Sequence, residues 1–203
     1  MHLFRILPFL VLMLFSGSSF ASTNGYLIAF IDFTCGACKG LHEQKATFEA
    51  LMKERGLVVY YAPVPQSGNP DTAWRERMYY VTRDLIGEQK ANEVMASYFA
   101  AQGGLGEQSE PLSTYAQVEA WLGLKIDGVR WRSLMRDSES KGFGVPQVQK
   151  AINLFVDGGF ETFPAFALVE NGSFTPIRTS GNLEQKLKQL SSSKALGLGE
   201  DKK

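Results

Sequence analysis

The hydrophobic and polar positions divide the chain into segments of different period. "YLIAFIDF" (26–33) is apolar almost throughout, with Asp32 its one charge, as expected of a strand buried on both faces. Thr34 then offers an N-cap for a helix over 35–55, with Leu41, Phe48, Leu51 and Met52 as its apolar stripe and Gly56 as its stop. "LVVYYAPV" (57–64) reads as a second strand, β-branched and aromatic. Strand, helix and strand in that order predict a parallel pair with a right-handed crossover. Helical patterning continues over 70–87, with Pro70 at its start and Gly87 at its end, and over 88–102. "GGLGEQSEP" interrupts it, and 113–124 and 127–142 predict two further short helices. Nothing here alternates like a strand, so 65–143 reads as a helical insertion. Another helix is expected over 145–159, and "PAFALV" and "SFTPIR" form a hairpin around "ENG". A closing amphipathic helix over 182–190 takes Asn182 as its N-cap, and 191–203 is a flexible tail. The fold class is α/β, with one core domain built from 22–64 and 144–190. Tyr60, Tyr61, Trp74, Tyr79 and Tyr80 are assigned to that core or to the packing of the insertion.

Composition narrows the function. Lys plus Arg equals Asp plus Glu, 21 against 21, so the basic footprint of a nucleic-acid binder is missing. "MHLFR", the apolar run "ILPFLVLMLF" and the small residues Ser19 and Ala21 have the layout of a cleavable secretory leader over 1–21. The apolar run is shorter than the roughly 20 residues that span a bilayer. The mature protein is therefore expected in an oxidising compartment, where disulfides form and persist.

The chain's two cysteines, Cys35 and Cys38, lie together in "FTCGACK" (33–39). A structural zinc site needs about four ligands, and His42 is the one histidine left after the leader. A disulfide staple between residues this close closes too short a loop to stabilise much. A redox-active pair suits the position. Where a buried strand runs into a helix, Cys35 meets unpaired backbone N–H groups and the positive helix end, and both favour a thiolate. Cys38 lies one turn on, about 300° round the helix, so the sulfurs can meet. The expected cycle is a mixed disulfide between Cys35 and a client, resolved by Cys38. Such a dithiol is its own redox centre and needs no metal or bound cofactor. A non-enzymatic reading stays open beside it: a Cu(I) metallochaperone using the two soft thiolates, or a client-holding chaperone. A Ser-His-Asp set is excluded by the single mature histidine. "GGLG" (103–106) neither follows a strand nor precedes Lys-Ser/Thr, so it is not a phosphate loop.

"FTCGACK" after an apolar strand, "TAWRERM" in a helical insertion, and then "FETFPAFALVENGSF" resemble the DsbA-like branch of the thioredoxin superfamily over most of 26–190. The resemblance implies a thioredoxin-like core with an inserted helical domain. It implies a periplasmic, monomeric thiol–disulfide oxidoreductase acting on cysteine-containing secreted proteins and recharged by a membrane partner, an oxidase or a reductase. Cys35 is then the nucleophile and Cys38 the resolving cysteine. Pro164 is the cis-proline facing the active site, and Phe163 beside it contacts substrate. Three features depart from the family. Ser22–Thr34 is too short for its extra N-terminal strand, which predicts a smaller sheet with a different edge. Ala29 stands where the wider superfamily often places an acid, leaving Asp32 as a proton acceptor for Cys38 or as a loop cap. The inner dipeptide is Gly36-Ala37 where the best-known DsbA enzymes carry Pro-His. A histidine beside the sulfur stabilises the thiolate and makes the disulfide more oxidising. Here only the backbone, the helix dipole and Lys39 remain, while His42 sits about 10 Å of helical rise away as a packed or surface residue. A weaker oxidant than DsbA is expected, or a reductase or isomerase kept reduced by its membrane partner.

Overall fold

A computed structural model describes residues 25–70, 73–102 and 144–192. The apolar run forms strand β1 (Gly25–Ile31), buried from Leu27 onward. Strand β2 (Leu57–Pro63) lies parallel beside it, with Gly25 opposite Leu57 and Ile31 opposite Pro63. On the other side β3 (Ala165–Glu170) runs antiparallel with Phe30 opposite Ala165, and β4 (Ser173–Ile177) completes the order β2-β1-β3-β4. The β3–β4 hairpin turns on Asn171 and Gly172 at φ 50° and 78°, the left-handed pair that matches the twist of the flanking strands.

Helices cover both faces of the sheet. Phe30 packs against Phe155 of α5 (Val145–Asp157), with ring centroids 5.8 Å apart, and against Phe160. Phe166, opposite Ala29 and so on the other face, meets Phe48 of α2 (Lys45–Lys53) at 5.8 Å. The last helix, α6 (Leu183–Ser191), starts in a reciprocal capping box between Asn182 and Gln185.

Two helix boundaries differ from the sequence reading. The helix expected over 35–55 is two helices, α1 (Gly36–Glu43) and α2, meeting at Gln44. There the Gln44 N–H is shared between the carbonyls of Gly40 and Leu41, at 3.3 and 3.2 Å, which tightens the turn. Leu41, Phe48 and Met52 are all buried across this junction, whereas Leu51 only packs at the margin of the core. The helix expected from Pro70 begins later, as α3 (Trp74–Leu85). Pro70 belongs to the turn before it, its carbonyl accepting the Ala73 N–H at 3.4 Å.

Helix α4 (Glu88–Ala100) packs on α3, so the described part of 65–143 contributes helices to the fold. Tyr61, Tyr79 and Tyr80 are buried as expected, and the hydroxyls of Tyr79 and Tyr80 donate to the carbonyls of Tyr61 and Pro63, fastening α3 to β2. Trp74 is half-buried beneath the Arg77 guanidinium. Tyr60 is not a core residue: it is 47% exposed and stands edge-on to Tyr26, because among the described strands β2 lies at the sheet edge, with its Leu57, Tyr61 and Pro63 side buried. The predicted leader, the helices at 113–124 and 127–142, the "GGLG" stretch and the tail from 193 lie outside the described residues. No helix among the described residues is long and apolar enough to cross a membrane.

Gly144 starts α5 at φ 80°, and a Cβ there would lie 2.7 Å from the Arg77 carbonyl oxygen on α3. Left-handed strain and backbone contact both oppose a side chain, so Gly144→Ala is expected to cost about 2 kcal/mol. The check is the urea midpoint; a variant as stable as the parent would show that α5 does not rest on α3 at this point.

Candidate active site

β1 and β2 end side by side, and β3 begins next to them, so three connections converge at one end of the sheet. Asp32, the first residue past β1, is 2% exposed. Its Oδ1 accepts the Thr34 N–H at 2.7 Å and the Thr34 hydroxyl, and its Oδ2 accepts the Gln66 N–H at 2.9 Å. Both oxygens are therefore engaged in tying the cysteine loop to the loop after β2. The Thr34 hydroxyl, held this way, does not cap α1. Cys35 occupies the N-cap position at φ −79°, ψ 119°, and no side-chain oxygen satisfies the first amides. Phe33 is buried against Tyr98 and Phe99 of α4, and its carbonyl accepts from Gln102 Nε2 at 3.2 Å. The insertion thus holds the cysteine loop from a second side.

Both thiols are free, Cys35 half-buried and Cys38 fully buried. The Cys38 thiol donates to the Cys35 sulfur, and the amides of Cys38 and Ala37 point at it. Together these outweigh burial and the Asp32 charge, and Cys35 is lowered from 9.0 to about 6. Burial, and the bond it donates to Cys35, push the Cys38 thiol far up, although the Asp32 N–H reaches its sulfur at 3.5 Å. The half-exposed sulfur is thus the one poised to ionise, and burial holds the proton on the other. Lys39 follows Cys38 on α1 and is half-buried. Gly36 is not demanded by crowding, since a Cβ built there meets nothing within 4 Å. His42 is a packed residue, stacked on Phe99 at 5.1 Å, and burial lowers its pKa.

The Phe163–Pro164 peptide is cis. The Cys35 thiol faces the Phe163 carbonyl at 3.8 Å, and the Phe163 ring stacks on Phe155 at 4.6 Å. Beside them opens a groove of about 590 Å³, lined among others by Cys35, Val64, Gln66, Phe155, Phe160 and Phe163. Val156, 64% exposed, lies on its rim. A concave, mainly apolar surface ending at a reactive sulfur suits a peptide with apolar side chains.

No family model and no curated protein sequence matches this chain. Solved structures do. Pseudomonas aeruginosa DsbA2 superposes with a TM-score of 0.61 at 13% identity, over 89% of this chain and 92% of that one. The oxidoreductase DsbA of Xylella fastidiosa gives 0.58 at 16% identity, over 86% and 88%. The thiol-disulfide exchange protein alpha-DsbA2 of Wolbachia pipientis gives 0.53 at 15% identity, over 83% and 82%. The chain has the DsbA-like fold.

Within this DsbA-like fold the structure brings together Asp32, Thr34, Cys35, Cys38, Phe163 and Pro164. Gln66, Gln102, Phe155, Phe160, Thr162 and Lys186 belong to the surroundings of the site and escaped the sequence reading. Lys186 had left a signal: it interrupts the stripe Leu183, Leu187, Leu190 of an amphipathic helix at a position that points inward. Gln66 and Gln102 lie in connections whose partners only the fold determines.

In the reduced protein the Cys35 thiolate fraction grows as pH rises through about 6. Iodoacetamide alkylation of Cys35 is therefore expected to rise to half its plateau near pH 6 and change little above about pH 7. A half-point near 9 would show that neither the α1 amides nor Cys38 stabilises the thiolate.

Proposed function

We propose that this chain is a periplasmic thiol–disulfide oxidoreductase that exchanges disulfides with cysteine-containing secreted proteins through Cys35 and Cys38, and that it is a weaker oxidant than DsbA. The observation that carries this reading is the acidified Cys35 sulfur, 3.8 Å from the Phe163 carbonyl at the head of an apolar groove. In the oxidising direction a client thiolate attacks Cys35 Sγ of the Cys35–Cys38 disulfide. Cys38 leaves as a thiolate and takes up a proton. A second client thiolate then attacks the client sulfur of the mixed disulfide, and Cys35 leaves as a thiolate. The client's two thiols are oxidised and the dithiol is reduced; the reverse sequence reduces a client disulfide. A low Cys35 pKa speeds the step in which Cys35 leaves, and burial keeps Cys38 out of competing reactions.

Phe163 borders the groove, held by Phe155, and with Pro164 next to it presents backbone to an extended client segment. Asp32 and Thr34 shape the loop that carries the nucleophile. The dithiol is the redox centre, no bound cofactor is needed, and the protein works as a monomer recharged by a membrane redox partner. Which partner it meets sets the direction of electron flow. Thiol trapping in cells separates the cases: a mostly oxidised pair means an oxidase, and a mostly reduced pair means a reductase or isomerase.

Cys38→Ala removes the resolving thiol, so mixed disulfides between Cys35 and clients are expected to accumulate and to disappear on reduction. Recovery of none from periplasmic extracts would argue against exchange with proteins. Gly36 and Ala37 add no charge to the sulfur. Equilibration with glutathione is therefore expected to place the potential between about −130 and −250 mV, inside the interval from DsbA at about −120 mV to thioredoxin at about −270 mV. Ala37 is only partly buried, and Ala37→His is expected to raise the potential by about 30 mV, a tenfold change. An unchanged potential in that variant would show that the dipeptide does not set oxidising strength here.

A further inference from the structure

Lys186 lies on the buried stripe of α6, only 5% exposed. A lysine taken out of water is costly unless its charge is met. Among the described residues its hydrogen-bond partners are uncharged: Nζ donates to the Pro164 carbonyl at 2.8 Å and to Thr162 Oγ1 at 3.2 Å. Thr162 and Pro164 flank Phe163, whose carbonyl faces Cys35 Sγ at 3.8 Å. One ammonium therefore grips both neighbours of the residue that meets the nucleophile. Burial lowers the Lys186 pKa, and negative charge at either cysteine, present when that sulfur leaves as a thiolate, opposes the fall. The other charged groups nearby do not replace it. Arg178 lines the same cavity of about 180 Å³ but turns to the Gly159 carbonyl and the Phe160 ring, and Asp32 opposes thiolate formation at both cysteines. Glu161, which lines that cavity too, carries the opposite sign. Ala29, fully buried six residues before Cys35, brings no carboxylate.

We propose that Lys186 is a positioning residue for thiol exchange: it clamps Thr162 and Pro164 so that the Phe163 carbonyl meets Cys35, and it supplies from inside the fold the positive charge that Gly36 and Ala37 do not. This deepens the thiol-exchange reading and rests on it. Lys186 makes no covalent bond in the cycle. Its charge offsets the thiolate formed when either cysteine leaves, which stabilises the reduced protein and makes the disulfide more oxidising.

Two variants and one measurement on the parent test this. Lys186→Met keeps the length of the side chain and removes charge and donors. Lys186→Arg keeps both, and the adjoining cavity of about 180 Å³ gives it room. Thiolate absorbance of the reduced protein is followed against pH. Below the midpoint, K186M is expected to hold about tenfold less thiolate than the parent, and its glutathione equilibrium is expected to lie about tenfold further toward the disulfide. K186R is expected within about twofold of the parent on both readouts. A folded K186M with an unchanged midpoint overturns the proposal, as does a K186R that moves as far as K186M. Should neither variant fold by circular dichroism, the ¹⁵N resonance of the Lys186 ammonium in the parent decides. It is expected to move when the dithiol is reduced at pH 7, and an unmoved resonance overturns the proposal. None of these readouts uses a client, so loss of the exchange reading with proteins is registered separately, by the Cys38→Ala trap.

Discussion

The register between β1 and β3 is the constraint on which the site depends. With Phe30 opposite Ala165, the segment leaving β1 runs alongside Phe163 and Pro164, and Cys35 comes within 3.8 Å of the Phe163 carbonyl. A slip of one residue moves the strands by about 3.3 Å, comparable with that contact, and turns every side chain to the opposite face. What resists the slip is the packing of aromatic rings on both faces, Phe30 with Phe155 and Phe160, and Phe166 with Phe48. Phe155 also stacks on Phe163. The residues that hold the core in register are thus the ones that set the cis-proline turn against Cys35.

Two identical side chains three residues apart acquire opposite chemistry from this placement. Cys35 takes the N-cap position because Asp32 has already claimed the Thr34 hydroxyl, so the unpaired amides at the start of α1 are left for a sulfur. Cys38, one turn further, faces the core, where burial opposes its ionisation and its proton serves the Cys35 thiolate instead. The asymmetry begins with backbone amides and burial. It follows from where a strand stops and a helix starts, and it explains how a dipeptide as plain as Gly36-Ala37 can separate an acidified thiol from a buried, protonated one.

Much of this was legible in the residue pattern because it depends on local rules. The inner strand, the parallel β2, the β3–β4 hairpin at Asn171-Gly172 and the capped α6 each carry their signal within a few residues. So does the cysteine pair, whose place between an apolar strand and a helix already distinguishes its two sulfurs. What the pattern did not disclose depends on competition between groups. Thr34 has the chemistry of an N-cap, but a carboxylate two residues earlier binds its hydroxyl more strongly than a helix amide would. Tyr60 has the composition of a core residue, yet only one side of an edge strand is covered. The junction at Gln44 arises because a tightened turn keeps Leu41 and Phe48 buried together.

The cysteine loop is short and is held from three directions by contacts far apart in sequence. Asp32 ties it to Gln66, Gln102 of the helical insertion binds the Phe33 carbonyl, and Lys186 fixes the facing turn through Thr162 and Pro164. Each tether engages backbone or a buried group, so the solvent side of Cys35 stays clear, and at Gly36 there is no side chain to shield it. Exchange of thiols requires an incoming sulfur to approach along the axis of the bond it breaks, which favours an open front. Support and electrostatic adjustment are then confined to the back of the site. In that arrangement small residues between the cysteines and a charged residue on an otherwise apolar helix stripe serve the same end: access on one side, stabilisation of the thiolate on the other.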